Sequence, residues 1–523
     1  MSGQEPAPPP ATGDPSRDLS RLARGGAMNL AGSVAYGVLN FVLVIIVTRG
    51  LGKDAAGVFF EAVALFVIAS NTAELGADTG LVRMIARYRT LDRVHDIRWT
   101  LVVALIPVVI AGVGLALIGL LYAQPLSHLF GKGDEAGALE PYIRLLILFL
   151  PLSAINTVAI SGTRGFGTMI PSVTVDKIFK PLGQCVMALA AVVMAAGSGA
   201  FALAYGLPIG LSFVAAVTWL LVLERRSERH MRGREVTPAP QLFSEFWRFT
   251  APRGLAGVFQ VMILWLDTLL IGALRSSGEA AVYTASSRYI VVGQAILQAM
   301  VQAIAPQISS LLAAREHDRA EAVYQAATTW LMVMSWPIYL TMAIFAPVLV
   351  LVFGASFSTG GPVLVILSLA MLVSMACGPV DVVLLMGGKS WWSAANTIVA
   401  LVLNVVLNLA LIPRFGITGS AVAWFVSILV RNILPLIQVS RFLGLTPFGP
   451  GFKAAALASV PIFGGVGILC RAALGPTVLS MAVFALVACS MYAAVLWRMR
   501  GVLQLQELVA SLRPGAGKAA PAV

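Results

Sequence analysis

The sequence predicts an all-α polytopic membrane protein of about fourteen transmembrane helices, arranged as two six-helix lobes followed by two further helices. First, 58% of the 523 residues are hydrophobic, only 11% are charged, and the mean hydropathy is +0.87, a balance far from that of soluble domains. Second, apolar runs of about 20 residues recur along the chain, which is the length that a membrane-spanning helix needs. Third, two short motifs recur in the second half of the chain at nearly one offset.

The predicted helices follow a first segment, residues 1–27, that is rich in Pro, Gly and Ser and has no apolar core. We expect it to be a disordered cytoplasmic tail. No small-residue cleavage site follows the first apolar run, so that run is expected to stay as a helix. The predicted spans are 28–48, 57–75, 99–123, 142–160, 171–195, 200–223, 250–274, 281–305, 325–353, 362–386, 391–411, 417–438, 454–470 and 478–497.

Lys and Arg are distributed unevenly between the loops. With the N-terminus inside, the cytoplasmic segments hold about four times as many of these residues as the opposite side. This bias predicts that both termini lie in the cytoplasm. It also explains the formal net charge of +12 without a nucleic-acid partner, and none is predicted.

The two halves of the chain resemble each other. The motif DAAGVF, which begins at Asp54, corresponds to GEAAVY, which begins at Gly278. The motif SGTR, which ends at Arg164, corresponds to MGGK, which ends at Lys389, at nearly the same offset. Because each unit has an even number of helices, the two lobes should be related by an axis along the membrane normal, with the substrate path between them.

The repeat divides the chain into six predicted segments. They are a disordered tail (1–27), an N-terminal six-helix lobe (28–223), a basic cytoplasmic linker (224–249), a C-terminal six-helix lobe (250–438), two additional helices (439–498) and a cytoplasmic tail (499–523).

Polar residues within the spans are expected to face a cavity, because a charge at the helix centre costs about 2.5 to 3.5 kcal/mol on insertion scales. Three helices carry such residues along one face. They are Asn29, Ser33, Tyr36 and Asn40 on the first helix, Arg253, Gln260 and Asp267 on the seventh, and Tyr283, Ser287, Gln294, Gln298 and Gln302 on the eighth.

Several cations within or beside the spans are candidates to bind an anion. Arg253 and Arg288 could hold an anionic headgroup, because a guanidinium offers a bidentate fork to phosphate. For Arg253, near its helix start, snorkelling to the interface is the competing interpretation. Lys177 of the fifth helix, with the nearby Arg164, would lie at the cavity mouth.

The fifth helix also carries Asp176 and Lys180, which are i,i+4 partners. The pair has two interpretations: a local ion pair that lowers the cost of insertion, or a contribution of Lys180 to the cavity.

Two acids are candidates for ion coupling. Asp267 is the deepest acid in the predicted spans, and it either holds its lobe together through a neighbouring Arg or hydroxyl, or binds an ion or proton that biases the conformation. Asp381 follows the helix breaker Pro379. It is either a functional acid at a kink or part of a packing kink near the cytoplasmic end. No cofactor is predicted, and coupling to Na⁺ or H⁺ stays open.

Metal binding is not predicted. The four cysteines lie in apolar runs without CxxC spacing, and the four histidines are isolated from one another.

Three stretches carry a resemblance to a known family. They are TRGLGKDAAGVF from Thr48, DTLLIG from Asp267 with AAVY from Ala280, and LNVVLNLALIPRFGITGSAVA from Leu403. With fourteen helices in 6 + 6 + 2 order, the chain resembles the polysaccharide (Wzx-type, O-antigen) flippases of the multidrug/oligosaccharidyl-lipid/polysaccharide exporter superfamily.

This resemblance implies a V-shaped pair of lobes with alternating access in a bacterial inner (cytoplasmic) membrane. The implied cargo is an undecaprenyl-pyrophosphate-linked oligosaccharide, turned from the inner to the outer leaflet for polysaccharide and cell-envelope biosynthesis. Cavity cations would hold the pyrophosphate and polar helix faces the sugar. The implied partners are the lipid-linked oligosaccharide, membrane lipids, glycosyltransferases and a polysaccharide polymerase.

Three alternatives remain open from the sequence. A cation-coupled multidrug exporter shares the fold, but its cavity should be rich in acids, whereas the buried charges here lean positive. A lipid II flippase also shares the fold, but the first helix lacks the arginines expected there. A membrane glycosyltransferase, polymerase or ligase would need a nucleophile and base, and the longest outer loop, residues 124–141, holds no such constellation.

Overall fold

The computed structural model describes residues 15–91, 93, 95–228, 238–499 and 501, and every regular element among these residues is helical. Eleven helices are long and apolar enough to cross a membrane, or up to twelve if the bent pair Asp134–Ile147 and Leu150–Gly165 counts as one span. The predicted all-α multi-pass membrane architecture is confirmed, whereas the count of fourteen stays a prediction.

The α-helices follow one another along nearly the whole described chain. They are α1 (Pro15–Leu51), α2 (Lys53–Glu74), α3 (Ala77–Thr90), α4 (His95–Leu121), α5 (Ala123–Phe130), α6 (Asp134–Ile147), α7 (Leu150–Gly165), α8 (Lys180–Val193), α9 (Ser198–Glu228), α10 (Ala239–Leu274), α11 (Ser277–Ser287), α12 (Val291–Ala313), α13 (His317–Leu349), α14 (Gly361–Ala376), α15 (Val380–Met386), α16 (Ser390–Leu443), α17 (Pro450–Ser459), α18 (Gly467–Leu474) and α19 (Val478–Arg498).

Wider or tighter helical turns join some of these helices. They are the π-helical segments Ser172–Phe179 and Val460–Val466 and the 3₁₀ segments Arg288–Ile290, Val350–Phe353 and Ala355–Gly360.

The difference in span count has identifiable sources. Helix α16 has 54 residues, which would extend about 80 Å if straight, far more than a bilayer thickness. It changes direction at Gly416, whose φ of 57° is open to glycine, so α16 holds both predicted spans 391–411 and 417–438. The predicted span 171–195 is divided into the π segment Ser172–Phe179 and α8.

The first helix begins earlier than the sequence predicted. Helix α1 starts at Pro15, so residues 15–27, predicted as part of a disordered tail, are helical. This stretch is rich in Leu, Arg and Ala, which are good helix formers. Residues 1–14 and 502–523 of the predicted tails lie outside the described residues.

Helix α10 belongs to both lobes. Near its start, Glu245 pairs with Arg87 of α3 at 2.8 Å, and Trp247 Nε1 donates to the Val103 carbonyl of α4 at 3.2 Å. Near its end, Asp267 bonds to the C-terminal lobe. Residues 239–249, predicted as linker, are therefore continuous with the helix that opens the C-terminal lobe, and 229–237 of the linker lie outside the described residues.

The predicted break at Pro379 is present. Helix α14 ends at Ala376, Gly378 adopts a φ of 65°, and α15 begins at Val380. Tyr324 donates to the freed carbonyl of Cys377 at 2.7 Å, so protein supplies the partner that lipid could not.

The last three helices and the π-helical segment Val460–Val466 pack on α13. Their buried side chains, including Phe463, Phe484 and Tyr492, form a second apolar cluster with Val333 and Phe345 of α13. The main apolar core includes buried side chains from both lobes.

Candidate substrate cavity and ion site

Arg288 lies where the two lobes face each other. It belongs to the C-terminal lobe, and its guanidinium carbon lies 4.5 Å from the centre of the Trp265 ring on α10. Its charge interacts with Tyr36 of α1 and Tyr205 of α9, both in the N-terminal lobe. Its Nε is buried and has no hydrogen-bond partner among the described residues. Arg288 therefore offers unused donor capacity at the interface between the lobes.

Lys177 and Arg164 form a second cationic group, in the N-terminal lobe. Lys177 Nζ donates to Asn29 Oδ1 at 2.7 Å and to Ser33 Oγ at 2.7 Å, so α1 orients it. Its charge interacts with those of Arg164 and Asp176, and Nε of Arg164 is buried without a partner. The structure thus brings Asn29 to Lys177, beside Arg164, which the sequence had placed near Lys177.

Lys180 forms an ion pair with Asp176, one turn earlier. Of the two interpretations left open by the sequence, the local ion pair is present. Lys180 also interacts electrostatically with Tyr36 and Tyr205, the same two phenols that face Arg288. A cation from each lobe therefore approaches this tyrosine pair, but the charge of Lys180 is already compensated.

Glu74 is a buried acid near this group that the sequence did not assign to a site. It lies on α2, and its carboxyl interacts electrostatically with Asp78, Asp176 and Lys180. Glu74 and Asp78 lie on different helices, on either side of a left-handed turn at Leu75 and Gly76.

Four of the predicted polar cavity residues are amides at partly open positions. Gln260 and Gln298 are exposed, and Gln294 is half-buried. Asn40 is half-buried and donates to the Tyr36 carbonyl on its own helix at 2.8 Å.

The stripe predicted on the eighth helix is interrupted by the 3₁₀ turn Arg288–Ile290, which separates α11 from α12. Tyr283, before the turn, is buried in the C-terminal lobe, where it bonds to Asp267, whereas Gln298 and Gln302, after the turn, are exposed. A common role for these residues in one cavity stays a prediction.

Arg253 lies apart from Arg288. It is exposed, and its guanidinium carbon lies 5.0 Å from the centre of the Phe249 ring, which Arg83 approaches at 3.9 Å. Trp265, beneath Arg288, lies twelve residues further along α10, or about 18 Å. A cavity of about 750 Å³ adjoins Phe249. Its lining residues are Arg83, Met84, Arg87, Pro240, Gln241, Ser244, Glu245, Arg248 and Phe249.

Asp267 is the centre of a buried polar cluster in the C-terminal lobe. The side chain is 2% exposed; Tyr283 donates to Oδ2 at 2.7 Å and Asn408 Nδ2 donates to Oδ1 at 2.9 Å. Asn404 approaches the same carboxylate, but neither its Oδ1 nor its Nδ2 makes a hydrogen bond, and Oδ1 of Asn408 and Oγ of Ser420 are also buried without partners.

These unused oxygens around one carboxylate suit a small hard cation, which prefers oxygen ligands. Among the described residues there is no group of three or more His, Cys, Asp and Glu that could hold a metal ion, so a transition-metal site is not indicated.

Asp381 is separate from this cluster. Ser393 donates to its Oδ1 at 2.6 Å, which ties the start of α15 to the start of α16. Ser393 precedes Asn404 by eleven residues of helix, or about 16 Å. This contact between the two helix starts agrees with the interpretation of Asp381 as part of a packing kink.

Comparison with known proteins identifies the family. The family model described as "Polysaccharide biosynthesis protein" matches residues 22–312, more than half of the chain. The chain belongs to this family. A second model, MatE, matches residues 252–410, within the C-terminal half. The predicted membership of the polysaccharide flippases of the exporter superfamily is confirmed.

Curated relatives of this polysaccharide biosynthesis protein carry related names. A probable low-salt glycan biosynthesis flippase of Haloferax volcanii, Agl15, is 23% identical over 425 residues, covering 81% of this chain and 84% of the relative. The succinoglycan biosynthesis transport protein ExoT of Rhizobium meliloti is 22% identical over 435 residues, covering 81% and 80%. These relatives are transport proteins, which confirms the prediction of a transporter and not an enzyme.

Solved structures share the fold. The lipid II flippase MurJ in an inward-closed conformation superposes with a TM-score of 0.71 at 10% identity, over 92% of this chain and 99% of that one. An inward-facing multidrug resistance MATE family transporter gives a TM-score of 0.61 at 17% identity, over 80% and 98%. At such identity the likeness establishes the MATE-like fold alone.

Proposed function

We propose that this chain is a flippase that turns a polyprenyl-pyrophosphate-linked oligosaccharide from the inner to the outer leaflet by alternating access. The observation that carries the proposal is Arg288, a half-buried arginine whose buried Nε has no hydrogen-bond partner, at the interface between the lobes. Membership of the polysaccharide biosynthesis family and the names of the relatives support the same cargo class.

A pyrophosphate suits the cations of the cavity. One cation, Arg288, belongs to the C-terminal lobe, and two, Lys177 and Arg164, belong to the N-terminal lobe. A guanidinium binds phosphate oxygens with two parallel hydrogen bonds. Lys180, paired to Asp176, would contribute only if the pair opens. Arg253 lies by Phe249, where an anionic headgroup could first meet the protein.

The sugar would contact the neutral part of the same surface. Amide and phenol side chains both donate and accept hydrogen bonds, as sugar hydroxyls do. The groups that we propose for this role are Asn29, Asn40, Gln260, Gln294, Gln298 and Tyr36.

We assign ion coupling to the Asp267 cluster. The carboxylate, with the unpartnered oxygens of Asn404, Asn408 and Ser420, could hold Na⁺, or the carboxylate could take up a proton. Binding of Na⁺ or of a proton would change the buried charge between α10, α11 and α16. This change would shift the equilibrium between two conformations of the C-terminal lobe. Asp381, which Ser393 already binds, has a weaker claim to this role.

For location, we propose a bacterial inner membrane with both termini in the cytoplasm, on the Lys and Arg distribution of the loops. In this orientation the Arg-rich end of α3 faces the cytoplasm, where lipid-linked sugars would be supplied. The partners that we infer are membrane lipids, glycosyltransferases that build the cargo and a polysaccharide polymerase that consumes it.

Substrate competition in vesicles tests the cargo class. Purified protein would be reconstituted with a fluorescent lipid-pyrophosphate sugar, and movement between leaflets would be followed by quenching from outside. Unlabelled lipid-pyrophosphate sugar should slow the signal, whereas a lipophilic cation should not. Inhibition by the cation alone would replace this proposal with the multidrug-exporter alternative.

A further inference from the structure

The two lobes meet at a tight contact between the starts of α2 and α11, which we call the 277 seam; it consists of Gly57, Glu61, Glu135, Ser277 and Gly278. A Cβ added to Gly57 would lie 1.7 Å from the Ser277 carbonyl oxygen. A Cβ added to Gly278 would lie 2.1 Å from Asp54 Oδ1. Only glycine allows the two helices to approach this closely.

Two carboxylates converge on one hydroxyl in this seam. Ser277 Oγ lies 3.0 Å from Oε2 of Glu61 and 3.1 Å from Oε2 of Glu135. The backbone N–H of Ser277 also donates to Oε2 of Glu135, at 3.0 Å. Glu61 is 0% exposed, and its second oxygen, Oε1, is buried without a hydrogen-bond partner.

The number of protons does not satisfy these contacts if both acids are ionised. The hydroxyl of Ser277 has one proton to donate, and ionised carboxylates only accept. One of the two short O···O contacts would then have no hydrogen between its oxygens, and the two carboxylate charges would lie close together. Oε1 of Glu61 would also carry buried charge without a hydrogen-bond donor. One added proton removes the conflict: Glu61 donates to Ser277 Oγ, and Ser277 donates to Glu135.

We propose that Glu61, Glu135 and Ser277 form a proton-binding site that keeps the 277 seam closed while it holds one proton and releases the seam when that proton leaves. Both acids belong to the N-terminal lobe and the hydroxyl to the C-terminal lobe. Loss of the proton therefore removes a hydrogen bond between the lobes and adds repulsion at the same point.

The charges around the seam do not replace this proton. The charged and titratable groups near the seam on the elements packed there include Lys53 and Asp54 on α2, His128 on α5, Lys132, Asp134 and Tyr142 at and before α6, Asp267 and Arg275 at the end of α10, and Glu279 and Tyr283 on α11. Lys132 donates to the Leu274 carbonyl at 2.7 Å, and Arg275 pairs with Glu279 at 3.3 Å. Lys132 and Arg275 are thus engaged elsewhere, and Lys53 lies beside Gly278 without a hydrogen bond or ion pair to Glu61 or Glu135.

A proton fits the site better than a metal cation. A Cβ added to Gly272 would lie 2.2 Å from Oε1 of Glu61, so this oxygen is packed against the backbone of α10. Among the described residues, the hydrogen bonds bring together three oxygens, Oε2 of Glu61, Oε2 of Glu135 and Oγ of Ser277, fewer than hard cations collect.

Hydrogen exchange of the whole protein across a pH series tests the proposal. The readout is the exchange of backbone amides in residues 53–61 and 276–283, corrected for the intrinsic effect of pH on exchange. Because opening releases one proton, the protection of these amides in the wild type should fall about tenfold per pH unit between the pKa of the open site and the pKa of the closed site, and it should level off above the latter.

Two variants separate the shared proton from simple packing. In Glu61→Gln the amide always donates to Ser277, so the seam of this variant should stay protected at every pH. In Glu135→Gln the hydroxyl of Ser277 donates to Glu61 without a second charge beside it, so the total fall in protection should be smaller than in the wild type. Asp267→Asn should keep the wild-type pH response. Protection that is independent of pH in the wild type, or that falls in Glu61→Gln as in the wild type, would overturn the proposal.

This readout needs no substrate, so its failure would leave the flippase proposal untouched. Failure of the vesicle assay would likewise leave the proton site standing.

Discussion

The guanidinium of Arg288 stacks 4.5 Å from the centre of the Trp265 ring, while its Nε has no hydrogen-bond partner. The face of the ring supports the charge of the guanidinium, while the Nε–H is left without an acceptor. An edge of this kind is suited to two phosphate oxygens at once.

Replacement of Arg288 by alanine should slow the flipping of a lipid-pyrophosphate sugar about tenfold or more. Hydrogen bonds to charged groups contribute about 1.5–3 kcal/mol each, which corresponds to at least tenfold in rate when the transition state uses them. Flipping rates in reconstituted vesicles measure the effect. Arg288→Lys, which keeps the charge but not the fork, should lie between alanine and wild type.

The matched control is Arg319→Ala. Arg319 is also an arginine, but its side chain is 75% exposed and pairs with Glu316. Its removal should leave the rate unchanged, and equal rates for the Arg288 and Arg319 variants would remove Arg288 from the binding site.

Asp267→Asn should abolish the response of transport to an imposed ion gradient. The substitution keeps the shape of the side chain but removes the buried charge that Tyr283 and Asn408 now bind. Vesicles with an inward or outward gradient of Na⁺ or of H⁺ would be compared with vesicles without one. Asp381→Asn should retain the gradient response, since Ser393 already binds Asp381. A gradient response that survives in Asp267→Asn would refute the coupling role.

Much of the fold was predictable because the bilayer restricts the choice. Long apolar runs had to be helices, and the recurrence of the Asp54 motif at Gly278 indicated two related lobes. The prediction of one stripe from Tyr283 to Gln302 relied on helical periodicity, which assumes an unbroken helix, whereas a 3₁₀ turn interrupts this segment. The turn at Arg288–Ile290 contains neither Gly nor Pro, so no local signal marks it.

The site was only partly predictable, for a different reason. Asp267, Asn404 and Asn408 were each visible as polar residues in apolar helices, but their meeting depends on the packing of α10 against α16. Glu61 and Glu135 are far apart in sequence and meet only through Ser277 of the other lobe. Spacing along one helix carries no information on such contacts.

Asp176→Asn should destabilise the protein more than the double substitution Asp176→Asn with Lys180→Met. Both side chains of the pair are less than one-third exposed, so the single substitution leaves the Lys180 charge without its partner. Breaking a buried pair costs about 3–5 kcal/mol, and the partial exposure here lowers that figure, whereas removing both charges is close to neutral. Thermal melting of the purified protein would order the variants, and additive effects of the two substitutions would contradict a coupled pair.

Gly57→Ala should destabilise the closed arrangement of the lobes. The added Cβ would lie 1.7 Å from the Ser277 carbonyl oxygen, which belongs to backbone and cannot rotate away, so α2 and α11 must separate. Overpacking of this kind costs about 1–3 kcal/mol or more. The expected results are a lower melting temperature and faster hydrogen exchange in residues 276–283.

Gly37→Ala is the matched control. Gly37 also lies inside a helix but has nothing within 4 Å of an added Cβ, so alanine there should be neutral or slightly stabilising. If the two glycine variants melt alike, close approach at Gly57 does not contribute to the stability of the lobe contact.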